Sequence, residues 1–351
     1  MGAGCSSQAS HGSGTWSLSC SPAAAWAAER RTRRPDRDNT ARLHTQPGGE
    51  AVDLNGKVAV VTGSGRGIGR AYARALAEAG CSVVINDVDG EVAEQTVKEL
   101  TDGGAKAVAE VVAVGSTDAA ERLVQRAVDS FDGIDIMCTN AGILRDRVLW
   151  KMTDEDFDAV IETHMRGTFT CARAAAVRMR EQGRGGRIVV VGSWAGQRGN
   201  FGQTNYAGAK AGIAACARTW AMELARAEIT VNAIVPNAIT RMIASIPGMA
   251  EMVESAEKGE PLPDLFRKQM GMGMPEDVAP LLVFLCSDAA KEVTGQCIGL
   301  GGDKLSLWSH PQEISAAYRD GGWTADAIAE VWPSSVGSRL ETYGIPFLGG
   351  Q

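Results

Sequence analysis

The chain lacks a basic surplus: 35 Lys and Arg stand against 42 acids, a formal net charge of -7 over 351 residues. With no excess of cations to neutralise a run of phosphates, a nucleic-acid partner is not expected. Paired cysteines are missing too. The eight are scattered, with no C-x-x-C pair and no His-Cys cluster at metal spacing, so no metal site is expected. Cys138 and Cys286 sit inside apolar runs and read as reduced thiols of a cytoplasmic protein. No apolar run reaches the roughly 20 residues needed to cross a bilayer. There is no internal repeat, and the expectation is a soluble chain without membrane contact.

What is present is an ordinary enzyme-like composition, 44% hydrophobic, in a length that can bury one large α/β core. Residues 1–53 differ in kind. They are rich in Ser, Gly, Ala and Arg, show no helical or strand period, and are expected to form a disordered tail. Met1-Gly2-Ala3-Gly4-Cys5-Ser6 fits a loose N-myristoylation pattern, and the Arg/Ser bias faintly suggests a transit peptide. The plainer reading is an unstructured tail, or a start codon placed too far upstream.

From Leu54 onward, short apolar runs alternate with amphipathic segments, the pattern of a parallel sheet covered by helices on both faces. Strands are expected at residues 57–61, 82–86, 107–112, 134–139, 187–191, 229–235 and 297–300. That makes a doubly wound seven-stranded parallel sheet in one domain, residues 54–303, followed by a C-terminal extension, 304–351. Thr153-Asp-Glu-Asp156 caps a helix expected to run through Arg180, and Pro275-Glu-Asp277 opens another. Residues 243–274, rich in Met, Pro and Gly, follow the sixth strand and read as a substrate-covering lid, the alternative being a surface excursion or subunit contact. Trp308, Trp323 and Trp332 make the extension too apolar for a free tail, so it is expected to pack on this subunit or a neighbour.

Two stretches carry chemistry. Thr62-Gly-Ser-Gly-Arg-Gly-Ile-Gly69 directly follows the first strand and opens a helix. Glycines 63, 67 and 69 let the backbone turn and approach a pyrophosphate at the positive helix end. Asp87, ending the second strand, can accept both ribose hydroxyls and would repel a 2′-phosphate, so NAD is favoured over NADP. Arg66 argues the other way, as a partner for such a phosphate. The second stretch runs from the strand at 187–191 through Ser193 to Tyr206 and Lys210. Four apart on a helix, Tyr206 and Lys210 share a face, so an ammonium can lower a phenol pKa that is ordinarily about 10. Ser193 can then bond the same substrate oxygen, which makes a plausible hydride-transfer site.

Together these marks resemble the short-chain dehydrogenase/reductase superfamily over nearly all of residues 54–300. The resemblance rests on the glycine turn, Asn140-Ala-Gly142 after the fourth strand, Ser193, and Tyr206-x-x-x-Lys210 thirteen positions later. It implies a Rossmann-type fold, a homotetramer or homodimer, and NAD(P)-dependent catalysis by Tyr206, Ser193 and Lys210. By the same resemblance Gly63, Ser64, Arg66, Gly67, Ile68, Gly69, Asp87, Val88, Asn140, Ala141, Gly142, Pro236, Ile239 and Thr240 would meet the cofactor, with Tyr206 and Lys210. Ile239 and Thr240 would reach the carboxamide and pyrophosphate. A narrower likeness is to the (3R)-hydroxyacyl-CoA dehydrogenase branch, carried by Asn140-Ala-Gly-Ile-Leu-Arg-Asp-Arg147, Gly199-Asn-Phe-Gly-Gln203, Pro236-Asn-Ala238 and Trp323-Thr-Ala-Asp-Ala-Ile-Ala-Glu-Val-Trp332. It implies an apolar substrate, a CoA thioester or a steroid type. Trp194 and methionines 249, 252, 270, 272 and 274 are candidates to line its pocket, and Arg145 and Arg147 to meet a CoA phosphate.

Three departures from the superfamily stand out. His164 replaces an asparagine that shapes a water-linked proton path to the lysine, and would serve there instead or pack as a buried helix residue. Gly115 stands where many relatives have an aspartate facing the adenine, and Asn237 replaces the glycine of a Pro-Gly pair. A catalytically silent dinucleotide-binding scaffold stays open as the alternative class of function.

Overall fold

Runs such as Val58–Val61 and Val83–Ile85 bury every side chain, so they can form only strands covered on both faces. In the computed structural model, which describes residues 52–239, 250–258 and 260–344, they do so. The expected tail lies outside the described residues up to position 51, as do Thr240 and Met249. The elements are β1 (Val58–Val61), α1 (Gly67–Glu78), β2 (Ser82–Asp87), α2 (Gly90–Asp102), β3 (Ala107–Val111), α3 (Thr117–Phe131) and β4 (Ile136–Thr139). Then come α4 (Asp154–Val160), a π turn (Ile161–Arg166), α5 (Gly167–Gln182), β5 (Gly186–Val191), α6 (Trp194–Arg198), α7 (Thr204–Leu224) and β6 (Ile229–Pro236). Last are α8 (Ala250–Glu257), a second π turn (Leu265–Gln269), α9 (Pro275–Cys286), β7 (Cys297–Gly301), β8 (Lys304–Trp308) and α10 (Ala325–Val331).

The sheet order is β3-β2-β1-β4-β5-β6-β7-β8, parallel throughout except that β8 runs antiparallel to β7. Alternate strand residues feed two cores. Ala59, Val61, Val83 and Ile85 meet α1, α2 and α9 on one face. Val58, Val60 and Val84 meet α3, α5 and α7 on the other. Fully burying a side chain such as Leu76 or Ile85 contributes roughly 1.5–3 kcal/mol. The chain order reverses between β1 and β4, and an open α/β sheet has its ligand crevice at that point, beyond the strand carboxyl ends. No helix among the described residues is long and apolar enough to cross a membrane.

Two expectations change. The sheet has eight strands, not seven, because residues 304–308, read as the start of the extension, return through Gly302 (φ +51°) and pair with β7. The helix expected at 153–180 is α4 and α5 joined by the π turn at Ile161–Arg166. Thr153 caps it as expected, its side chain accepting from Asp156 N–H. A π turn inserts one residue into the helical ladder and re-aims a side chain, here His164.

Candidate active site

The glycine turn forms as its residues require. Gly63 has φ +61°, and a Cβ there would stand 2.7 Å from the Ala141 Cα, so the turn and the loop after β4 meet backbone to backbone. Thr62 Oγ1 accepts the N–H groups of Asn140 and Ala141, both at 3.0 Å, and Asn140 Nδ2 donates to the carbonyls of Thr62 and Gly63. Gly67, φ +56°, meets no atom within 4 Å of where its Cβ would be, which leaves open space beside the first turn of α1. Asp87 accepts from Gly65 N–H at 3.2 Å, and Val88 next to it is exposed. Arg66 is ion-paired with Asp89 at 2.8 Å.

Ser64 departs from its expected place. Its hydroxyl donates to Val61 O and accepts from Asn86 N–H, its own N–H goes to Asn86 O, and the residue is fully buried. Its donors therefore face the core rather than a cofactor. Ile239 likewise has its N–H engaged, donating to Gly273 O, and its side chain packs with Val253 and Met272.

On the other side of the crevice, Ser193 caps α6, its Oγ accepting from Ala195 N–H at 3.2 Å, and its hydroxyl is close enough to the Tyr206 phenol to pull its pKa down. Lys210 Nζ lies 5.6 Å from the Tyr206 ring centre and donates to Val191 O at 2.6 Å. Burial lowers the Lys210 ammonium to about 7. The phenol is governed by its burial. Burial raises its pKa, the Ser193 hydroxyl opposes that, and the Asp146 carboxylate adds to it. Desolvation is the largest of these, as expected for a phenol out of reach of water.

His164 is brought into the same group, its ring edge-on to Tyr206 at 5.1 Å. Nε2 lies 3.0 Å from Ile143 N and 2.8 Å from Ile143 O, so one tautomer accepts and the other donates. Nδ1 is buried without a hydrogen-bond partner among the described residues. Burial, then Lys210, push its pKa down to about 3, against a smaller upward pull from Ile143. Gly142 has no space for a Cβ because the His164 ring lies on it.

Three features were not read from the sequence. Glu162, also in the π turn, has its Cγ 3.0 Å and Oε1 3.4 Å from where a Gly115 Cβ would stand, so a carboxylate reaches that position from another element. Asn205, fully buried before Tyr206, bonds two other segments as well as its own helix. Arg198, ending α6, binds the extension through Thr342 and Gly344. None leaves a periodic trace, and only the polar residue beside Tyr206 was a usable signal.

The expected pocket residues are mostly occupied elsewhere. Met270, Met272 and Met274 pack with Ile239, Val253, Leu262 and Phe266 in a small core of the 250–274 segment. Asn237 fastens that segment by donating to Met270 O. Trp194 meets Trp308 edge-on at 5.2 Å, with the Lys304 ammonium 5.6 Å from its ring. Arg145 and Arg147 are exposed, Arg147 being 3.8 Å from Asp156.

A family model described as Enoyl-(Acyl carrier protein) reductase matches residues 63–302. The chain is 42% identical over 272 residues to the hydroxyacyl-CoA dehydrogenase ChsB1 of Mycobacterium tuberculosis, spanning 74% of this chain and 82% of that one. It is 37% identical over 289 residues to the peroxisomal multifunctional enzyme type 2 of Mus musculus, across 80% of this chain but only 36% of that longer protein. A crystal structure of a short chain dehydrogenase from Mycobacterium avium superposes with a TM-score of 0.71 at 33% identity, covering 83% of this chain and 98% of the other.

Proposed function

The chain belongs to the short-chain dehydrogenase/reductase family of oxidoreductases acting on CH–OH groups, and on that premise we propose an NAD-dependent dehydrogenase that interconverts a 3-hydroxyacyl-CoA and its 3-keto form. The observation that carries the reading is the meeting of Ser193, Tyr206 and Lys210 across the crevice from the glycine turn, in a chain 42% identical to a protein named hydroxyacyl-CoA dehydrogenase.

The turn fits a dinucleotide. Open space beside Gly67 lies at the α1 N-terminus, where backbone N–H groups favour a pyrophosphate. Gly63, Gly67, Ile68 and Gly69 would hold that group, Asp87 and Val88 the ribose, and Asn140, Ala141, Gly142 and Pro236 the nicotinamide half, with Tyr206 and Lys210. Glu162 would accept from the adenine amino group in place of the side chain Gly115 lacks. Asp87, and the pairing of Arg66 with Asp89, support NAD over NADP. When bound, NAD supplies the hydride acceptor for oxidation and the donor for reduction.

In the oxidative direction Tyr206 takes the substrate hydroxyl proton. Burial favours the neutral phenol, and a phenol that takes the substrate proton gives up its own toward Lys210, by way of water. Lys210, near 7, can take or give a proton at neutral pH. Ser193 has one lone pair engaged by Ala195 N–H, which leaves its proton to hold the reacting oxygen. His164 stays neutral at working pH, and its unpartnered Nδ1 is suited to an ordered water on the path from Lys210.

The test is NADH oxidation with a panel of 3-ketoacyl-CoAs, 3-ketoacyl carrier-protein thioesters and ketosteroids, beside titrations with NADH and NADPH. Turnover of the CoA thioesters is expected. Preference for the carrier protein or for ketosteroids would move the substrate, and no turnover at all would leave a silent dinucleotide-binding scaffold. Tighter NADPH binding would show that Arg66 outweighs Asp87.

A further inference from the structure

Asn205 has no part in the steps above, yet it directly precedes Tyr206 and none of its surface reaches solvent. Its Nδ2 donates to Arg145 O at 3.1 Å and to Asp156 O at 2.9 Å, while Oδ1 accepts from Tyr206 N–H at 2.8 Å. Two carbonyls and one N–H fix the amide in one orientation, because a flip would oppose like groups at all three contacts. No other side chain of this length offers two donors and one acceptor. An aspartate loses both donors, and a serine cannot span the two carbonyls.

The three partners belong to three segments that meet at the site. Arg145 is on the loop after β4, the loop whose Ile143 contacts His164. Asp156 is in the first turn of α4, and Tyr206 N–H is one of the donors that α7 itself leaves without an intrahelical acceptor. The same loop is tied again to the approach to α7. Arg147 N–H donates to Gly202 O at 2.8 Å, and Gln203 Nε2 to Asp146 Oδ2 at 2.9 Å.

We propose that Asn205 is a positioning residue for Tyr206, the buried end of a clasp that holds the loop at 143–147 against the start of the catalytic helix. The proposal rests on the reading of Tyr206 as the acid/base group. The clasp sets where the phenol stands relative to Ser193, and it closes the loop beside it. A displacement of about 1 Å at such a group can lower turnover about 100-fold while leaving a remote cofactor contact untouched.

The test uses the full chain, with acetoacetyl-CoA and NADH as probes. Asn205→Ala is expected to lower kcat by about 10- to 100-fold, with a smaller change in KM and an unchanged NADH affinity by fluorescence titration. Asn205→Ser, which keeps an acceptor for Tyr206 N–H, should show the same split. The pH profile adds a readout that mere loss of stability would not move. The groups facing the phenol are Ser193 from α6, His164 from the π turn, Lys210 on its own helix and Asp146 from the loop. Releasing the loop withdraws Asp146 and admits water, both of which favour the ionised phenol, so the midpoint of kcat/KM should move to lower pH. Gln203→Ala cuts only the outer contact with Asp146 and should lower kcat less, with melting temperature and NADH affinity unchanged. A wild-type kcat in the folded Asn205 variants, or in Gln203→Ala should those not fold, overturns the proposal. Tyr206→Phe is run alongside. Turnover persisting there overturns the reading of Tyr206 itself, whereas an inactive Tyr206→Phe beside a fully active Asn205→Ala overturns only the positioning role.

Discussion

The two walls of the crevice are built by different means. The glycine turn and the loop after β4 meet at close backbone range, Gly63 against Ala141, and the short Thr62 and Asn140 side chains bond only backbone groups of the facing segment. The wall with Ser193 and Tyr206 is assembled by single polar side chains reaching between distant segments: Asn205, Gln203 and Arg198. A wall made of backbone accepts few substitutions but can be recognised from a short motif. A wall sewn by side chains can be re-aimed one residue at a time, which suits the half of a site that must fit one substrate among many.

The largest effect should come from the chemical group on the sewn wall. Tyr206→Phe removes the oxygen proposed to transfer the proton and keeps the ring against His164 and Lys210. Turnover should fall by about 100- to 10,000-fold, with NADH affinity unchanged in a fluorescence titration. Substantial residual turnover would mean that the proton travels by another group, and the functional contrast between the walls would go with it.

The backbone wall should fail differently. Gly63→Ala places a methyl 2.7 Å from the Ala141 Cα at a φ of +61°, so both strain and a clash oppose it. A cost of about 1–3 kcal/mol is expected, seen as a lower melting temperature together with weaker NADH binding. If melting and binding stay at wild-type values, the turn is less rigid than its contacts imply and the two walls do not differ in kind.

This difference also decides what could be read from the sequence. Most of the seven parallel strands are legible because a strand buried on both faces needs an unbroken apolar run, and the glycine turn because strand, turn and helix follow one another within a few residues. Strand β8 is not. In Lys304-Leu-Ser-Leu-Trp308 the leucines point outward, 68% and 67% exposed, while Lys304, Ser306 and Trp308 face Gly299 and Trp194. The alternation is present with its apolar face reversed. The methionines of residues 270–274 show a second limit, since apolar composition is the same for a pocket lining and for the packed cluster they form. Asn205 shows a third: one polar residue has no period, and its role exists only through partners 49 and 60 positions away. Ser64 and Ile239, carried over from a family pattern, have their N–H groups engaged by Asn86 and Gly273, a matter of backbone direction that a motif does not encode.

The smallest effect probes the seam between the walls, where His164 on the π turn bonds Ile143 on the loop. Its folded pKa of about 3 lies below the ordinary 6.5, chiefly because the ring is buried. Between those values the unfolded chain binds a proton that the folded chain refuses, so stability falls as pH drops from about 6.5 toward 3. Lys210 acts in a separate window. With a folded value of about 7 against 10.5, it makes stability rise with pH between those limits. His164→Asn removes the acid-side contribution and leaves the other. In urea unfolding, the variant should lose less stability than the wild type between pH 6.5 and 5, even if packing loss lowers its midpoint at pH 7.5. An unchanged acid-side slope would mean that the folded protein protonates His164 readily, and a charged imidazole there would have to be held by water rather than by the dry contact with Ile143 and Tyr206.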